Sequence, residues 1–266
     1  MHRGRSSIFK LAAGVLLIVG SGSAGAPAFA VGDFIGFEPQ YWSQRMEGTW
    51  RIDGDLVEGT KVDPHEALGL EETDKLAAGR IWLHWLKKNS LIYTTYDSRR
   101  EGNKLLTSPV IFDDQVFLPG EQVKTRLQTE LKSLLYGYDF LSLRLIKLGF
   151  RIGANRLGVD ATLDSATTPS RASIDESVTY PVAGLGVAFE PIPMLRFLGE
   201  INGIGGHFSG NQVTFYDARI QAEVYWSHFF GIITGYRRVR IDVDLEDFGA
   251  ADATQKGPYA GFVFRF

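Results

Sequence analysis

Apolar residues recur at every second position in segment after segment of this chain. In "TGYRRVRIDVDLED", Val239, Ile241, Val243 and Leu245 take one side; Arg238, Arg240, Asp242 and Asp244 take the other. In "FYDARIQAEVYW", Ala218, Ile220, Ala222 and Val224 alternate with Asp217, Arg219, Gln221 and Glu223. In "VKTRLQTELKSLLYGY", Val123, Leu127, Leu131 and Leu135 alternate with Lys124, Arg126, Gln128, Glu130 and Lys132. Ile81, Leu83 and Trp85 oppose Arg80, Trp82 and His84. In "YWSQRMEGTWRID", Trp42, Met46, Trp50 and Ile52 oppose Arg45, Glu47, Arg51 and Asp53, although Gln40 and Gln44 interrupt the apolar side. A period of two is the mark of strands whose two faces meet different surroundings.

Soluble antiparallel sheets alternate too, so length has to discriminate. These segments run about 10–17 residues, whereas ordinary strands average about 5–6 and a tilted membrane-crossing strand needs about 9–11. Aromatic residues gather near the segment ends, as at Tyr41, Trp85, Tyr136, Tyr138, Trp226 and Phe229, like the interfacial girdles of membrane barrels. The pattern predicts ten strands, over 36–53, 78–88, 89–102, 122–138, 147–163, 177–190, 195–208, 212–227, 229–245 and 256–266. The count becomes eight or twelve if the short middle turns are misread. The expected fold is therefore all-β, a single antiparallel up-and-down barrel. Its apolar faces meet lipid and its charged faces line the lumen. "SPVIFDDQVFLPGEQV" predicts a small loop hairpin around Asp113-Asp114. In "FRIGANRLGVDATL" the apolar parity switches between Ala154 and Leu157, which predicts a bulge near Asn155. Pro181 cannot donate to a ladder, so it is expected at a bulge or above the membrane band.

Residues 1–30 have a basic opening, a short apolar run "LAAGVLLIVG" and small residues ending in Ala28-Phe29-Ala30. That layout predicts an export signal cleaved after Ala30, leaving 31–266 as one barrel domain. Removing the three Lys/Arg of residues 1–30 leaves 25 basic against 31 acidic side chains, net −6. No basic footprint for nucleic acid remains. Without cysteine there is no disulfide framework and no thiolate metal site.

The chain closes on "YAGFVFRF", with Tyr259, Phe262, Phe264 and a terminal Phe266. The signal, the ten alternating segments and this aromatic ending together resemble bacterial outer-membrane β-barrel proteins, in the manner of the small OmpA-like barrels. The resemblance implies residence in the outer membrane of a Gram-negative cell, with outer-membrane lipid and lipopolysaccharide around the wall. It also implies that the closing signature is read by the barrel-assembly machinery. It implies no cofactor.

The candidate functional residues are the charges assigned to the lumen: Arg45, Glu47, Arg51, Arg80, Arg126, Glu130, Arg219, Glu223, Arg238, Arg240, Asp242 and Asp244. Two outcomes follow from such a lining. Long Arg and Glu side chains fill a narrow barrel and neutralise one another, since even eight strands leave room only for side chains; the protein then serves a structural or surface-interaction role. Alternatively they line a narrow channel. Enzymatic readings carry less. His207 and Ser209 match the His-x-Ser pair of lipid A deacylases, but Glu223 lies about 30 Å along the next strand. An omptin-type protease needs a His-Asp pair at the outer mouth, and neither His65, His84 nor His228 meets Asp97, Glu101, Asp160, Asp242 or Asp244 by this topology. His65-Glu66 and Asp113-Asp114 are read as solvated loop charge, with no metal site.

Overall fold

The computed structural model describes residues 34–266, apart from 54–57, 86–87, 209–210 and 246–248. The expected export signal lies outside the described residues. Ten long strands form one closed barrel. They are β1 (Ile35–Ile52), β2 (Thr73–Trp85), β3 (Asn89–Leu105), β6 (Gln122–Ser142), β7 (Ile146–Ser165), β8 (Arg171–Ile192), β9 (Leu195–Phe208), β10 (Asn211–Tyr225), β11 (Phe230–Leu245) and β12 (Gly249–Arg265). Between β3 and β6 stands the hairpin of β4 (Val110–Phe112) and β5 (Gln115–Phe117). It turns at Asp113 and Asp114, whose φ angles of 49° and 58° are those of a type I′ hairpin turn. A single helical turn, α1 (Pro64–Leu68), sits in the first loop.

Consecutive barrel strands pair antiparallel, and β1 closes against β12 from Gly36↔Arg265 to Ile52↔Gly249. Both ends of the barrel chain therefore lie at one rim, where Phe34 and Ile35 donate to the Phe266 carbonyl at 2.8 and 3.1 Å. At that rim the connections are short; at the other they are mostly longer. Outer-membrane barrels show this asymmetry, with short turns on the periplasmic side.

Every barrel strand exceeds the span of a bilayer: the shortest, β2, has 13 residues and the longest, β8, has 22, against about 9–11 required. The excess explains where the faces fall. Near the terminal rim the apolar residues point outward, as Phe37, Ile81, Leu134, Ile152, Leu185, Ile201, Ile220 and Phe262 do, all more than a third exposed. Farther up each strand the wall stands in water, and the polarity reverses. Trp42, Met46, Leu127, Leu131, Val239 and Ile241 are buried inside the barrel. The alternate residues Arg45, Arg126 and Arg238 are exposed on the outside. The switch in β7 is this same boundary and no bulge. Its register runs unbroken through Ser133↔Asn155 and Asn155↔Tyr180. The register shifts instead at Tyr138/Leu141 and Phe189/Ile192, beside the short turns.

Two features shape the outer end. The β4–β5 hairpin folds down onto the inner wall, burying Val110, Phe112 and Phe117 with Leu68, Leu70, Leu106, Val123, Leu127 and Leu163. Each fully buried side chain of this size contributes about 1.5–3 kcal/mol, enough to hold the loop as a cap. Asp63 fixes the adjoining helical turn by accepting from the His65 and Glu66 amides at 2.8 and 3.1 Å. Glu121 clips the cap to the loop after β7. Its carboxylate accepts from the Ser165 hydroxyl at 2.6 Å and from the Leu118 amide and Thr168 hydroxyl at 3.0 Å each. Second, among the described residues β8 and β9 pair no higher than Ala183↔Gly203. Above that point β8 pairs with β7 alone. Pro181 stands two residues past the last β8–β9 pair, so a locally open edge houses it above the membrane band.

Candidate functional site

The interior chemistry concentrates in the half of the lumen nearer the termini. There the inward positions of β1, β2, β9 and β10 carry Glu38, Arg80, Glu200 and Arg219. These strands are not all neighbours, so their contacts cross the interior. Arg80 donates to Glu200 at 2.7 Å and Arg219 to the other Glu200 oxygen at 2.8 Å. Arg219 also reaches Glu38 at 3.6 Å, and Arg151 approaches Glu200 at 4.0 Å. Glu38 further accepts from Gln40 at 2.9 Å and Gln221 at 3.2 Å. None of the Glu38, Arg80, Glu200 and Arg219 side chains is more than 9% exposed. Burying such charges is tolerable only because each is paired and hydrogen-bonded.

Glycine makes room for one of these arginines. A Cβ at Gly137, Gly149 or Gly186 would lie 2.9, 2.6 or 3.1 Å from the Arg151 guanidinium, so Arg151 lies along a bare stretch of wall on its way to Asp139 at 3.3 Å. Toward the rim, Gln221 bonds Glu223 at 2.7 Å, Tyr225 donates to Glu223, and Arg196 bridges Glu223 and Glu190 at 3.8 and 3.1 Å. On the other side Tyr259 donates to Gln221 at 2.7 Å, its ring covering Gly235 of the next strand.

A second inward layer lies above. Arg237 makes a two-pronged contact with Asp217 at 2.9 and 2.5 Å. Its guanidinium also sits 5.1 and 5.0 Å from the ring centres of Trp42 and Tyr96, a stacked cation geometry. Tyr96 donates to Gln255 at 2.8 Å, Gln44 donates to Gln255 at 2.9 Å, and Arg100 donates to Gln44 at 2.7 Å. Above this layer apolar side chains predominate up to the cap, with Thr125 and Thr129 among the buried inward residues.

The charges assigned to the lumen divide. Arg80, Arg219 and Glu223 point inward and belong to one network. Arg45, Glu47, Arg126, Glu130, Arg238, Arg240 and Asp242 stand on the outer wall, opposite to the expectation. They lie on strand portions beyond the membrane band, where water is outside and the apolar partner face turns in. Arg51 pairs with Asp53 and Glu58 at 3.2 and 2.9 Å at the outer end of β1. The side chain of Asp244 lies outside the described residues. Of the closing signature, Tyr259 is buried in the lumen, Phe262 and Phe266 are about half exposed on the outer wall, and Phe264 stacks on Phe37 at 4.7 Å across the closing pair.

Gln221 stands inward with Arg219 and Glu223, as its alternation implied. Residues that sequence reasoning did not place in the lumen are Glu38, Gln40, Arg237 and the Gln44–Gln255 pair. One signal for them was visible. Gln40 and Gln44 interrupt the side of β1 that carries Trp42 and Met46, as expected of an inward face holding hydrogen-bond partners and not of a lipid face. The candidates for hydrolytic chemistry are dispersed. Asp97, Glu101, Asp160 and Asp242 lie on the outer wall, His228 lies in a short turn, and His65 Nδ1 contacts the Leu70 carbonyl at 2.9 Å. Of the His207–Ser209 pair, Ser209 and the His207 side chain lie outside the described residues.

No protein-family model matches the chain, and no curated protein matches it in sequence. In structure it is similar to the outer membrane protease OmpT from Escherichia coli, with TM-score 0.55 and 10% identity, covering 92% of this chain and 100% of that one. OprG from Pseudomonas aeruginosa aligns with TM-score 0.39 and 13% identity, over 89% of this chain and 96% of that one. Ail of Yersinia pestis aligns with TM-score 0.38 and 11% identity, over 86% and 99%. Of these three, the OmpT likeness is near enough to compare folds, and at that identity it speaks of fold and not of activity. With the apolar outer belt, the ten-stranded closure and the asymmetric rims, the chain has the fold of the bacterial outer-membrane β-barrels.

Proposed function

We propose that this protein is a sealed outer-membrane barrel that acts through its outer surface, in a structural or surface-interaction role, and not by conduction or catalysis. The observation that carries the reading is the buried Glu38–Arg80–Glu200–Arg219 network, which bridges strands across the lumen with side chains at most 9% exposed. The cap formed by the β4–β5 hairpin supports it from the other end. A small barrel filled in this way has side chains where a channel has water. The test is single-channel recording of the refolded protein in planar bilayers. The expected result is no steady conductance. Stable conductance steps from the unmodified protein, lost on crosslinking the lumen, would replace this reading with the narrow channel.

A further inference from the structure

Three cations stand side by side on the outer wall in the most direct register a sheet allows. Arg238 of β11 pairs with Lys256 of β12, and Lys256 pairs with Arg45 of β1. Like charges directly opposite one another on a sheet are destabilising, so such a row calls for an anion. The protein supplies part of one. Glu47 reaches Lys256 at 2.6 Å and Arg45 at 3.2 Å, and Glu72 reaches Arg45 at 2.6 Å. Arg238 has no carboxylate in ion-pair range among the described residues; its guanidinium lies 5.8 Å from the Tyr216 ring. Lys75 stands beside the row on β2, exposed and also without a carboxylate in range among the described residues. Four bases thus face two acids.

The level of the row identifies its ligand. On each strand it sits immediately past the apolar belt. Arg238 is the next outward residue after the exposed Tyr236, Lys75 follows Ala77, and Arg45 comes one outward position after Ser43 and two after the exposed Tyr41. An anion held there has its tail, if it has one, alongside the apolar wall beneath. Juxtamembrane bases of this kind hold anionic lipid headgroups, and Arg and Lys together provide forked and point-like donors for phosphate oxygens.

We propose that Arg45, Lys75, Arg238 and Lys256 form a binding site for a phosphate-bearing lipid of the outer leaflet, with the phosphate on the cation row and the acyl chains on the wall below. The site lies on the outer wall of β11, β12, β1 and β2, apart from the lumen network, and does not depend on whether the barrel conducts.

The test uses the full refolded chain in nanodiscs doped with a bisphosphorylated lipid A, or with the same lipid after its phosphates are removed. Retention through mild delipidation is read by native mass spectrometry. The phosphorylated lipid is retained at least tenfold better on the unmodified protein, and inorganic phosphate in millimolar excess does not displace it. The triple variant R45Q/R238Q/K256Q loses that preference, at about fivefold per base removed. The control K124Q/R126Q/R171Q, which removes as many charges farther from the belt, keeps it. Equal retention of the two lipids on the unmodified protein overturns the proposal without recourse to any variant. Displacement by inorganic phosphate overturns the assignment to a lipid, and equal loss in the control overturns the location.

Discussion

Replacing Glu200 by Gln tests whether the lumen network is a buried, interdependent unit. Glu200 accepts from Arg80 at 2.7 Å and Arg219 at 2.8 Å, with Arg151 4.0 Å away. A glutamine of the same shape keeps one acceptor but turns a donor toward the second guanidinium. Three buried cations then share Glu38, Glu223 and Asp139 as their remaining anions. Removing one partner of a buried ion pair costs about 3–5 kcal/mol. The lower figure, about 3 kcal/mol, is the better guide here because water admitted from the rim relieves part of the loss. With a urea slope of about 2 kcal/mol per molar, the unfolding midpoint falls by about 1.5 M. The assay is equilibrium urea unfolding in lipid vesicles, followed by the fluorescence of Trp42 and Trp82, both inside the lumen. A second arm sharpens it. The double replacement R80M/E200M removes both members of the closest pair and leaves no orphan at that contact, so it is milder than Glu200→Gln alone. If E200Q moves the midpoint by less than about 0.3 M, or if the double variant costs the sum of its singles, the network is hydrated and independent, and the sealed-lumen argument fails.

The remaining outcomes rest on separate contacts. Gly235→Val places side-chain atoms where a Cβ already meets the Ile220 carbonyl at 2.3 Å and the Tyr259 ring at 2.5 Å; overpacking of about 1–3 kcal/mol follows, measured by the same unfolding assay. Glu121 is held below the usual carboxylate range first by the Ser165 hydroxyl, then by the Leu118 amide and the Thr168 hydroxyl. A carboxylate lowered on folding stabilises the cap fully above its unfolded pKa of about 4.3 and loses that contribution as pH falls through the lower folded value. The protection of the Leu118 amide, the intrinsic exchange rate relative to the observed rate at the same pH, therefore falls on acidification through that range; in Glu121→Gln it is already lower at neutral pH and loses this dependence.

Much of the fold was legible because alternation and turn chemistry are local. The ten strands overlap their expected places, most within four residues at each end, while β2, β8 and β12 start five, six and seven residues earlier than expected. The Asp113-Asp114 turn stands where two acidic residues can adopt left-handed backbone. The candidate site was legible only in part. Alternation states that Arg238 and Arg240 share a face; it does not state which face is inside. That rule holds near the terminal rim, where lipid takes the apolar side, and so places Arg80, Arg219 and Glu223 correctly inside. It inverts above the belt, where β6 and β11 turn Leu131 and Val239 inward and expose Lys132 and Arg238. Strand length was the overlooked sign, since segments of 16 or more residues cannot lie wholly within a bilayer.

The amino-acid sequence by itself determined the period of two, the count of strands, the connections and the polarity of each face relative to its opposite. Those depend on neighbours one, two or a few residues away. Only the tertiary structure decided which face is the interior at each height, which charges meet across the lumen, and which cations line up outside. Those depend on barrel closure and register, which bring Glu38 to Arg219 and Arg45 to Lys256 from opposite ends of the chain.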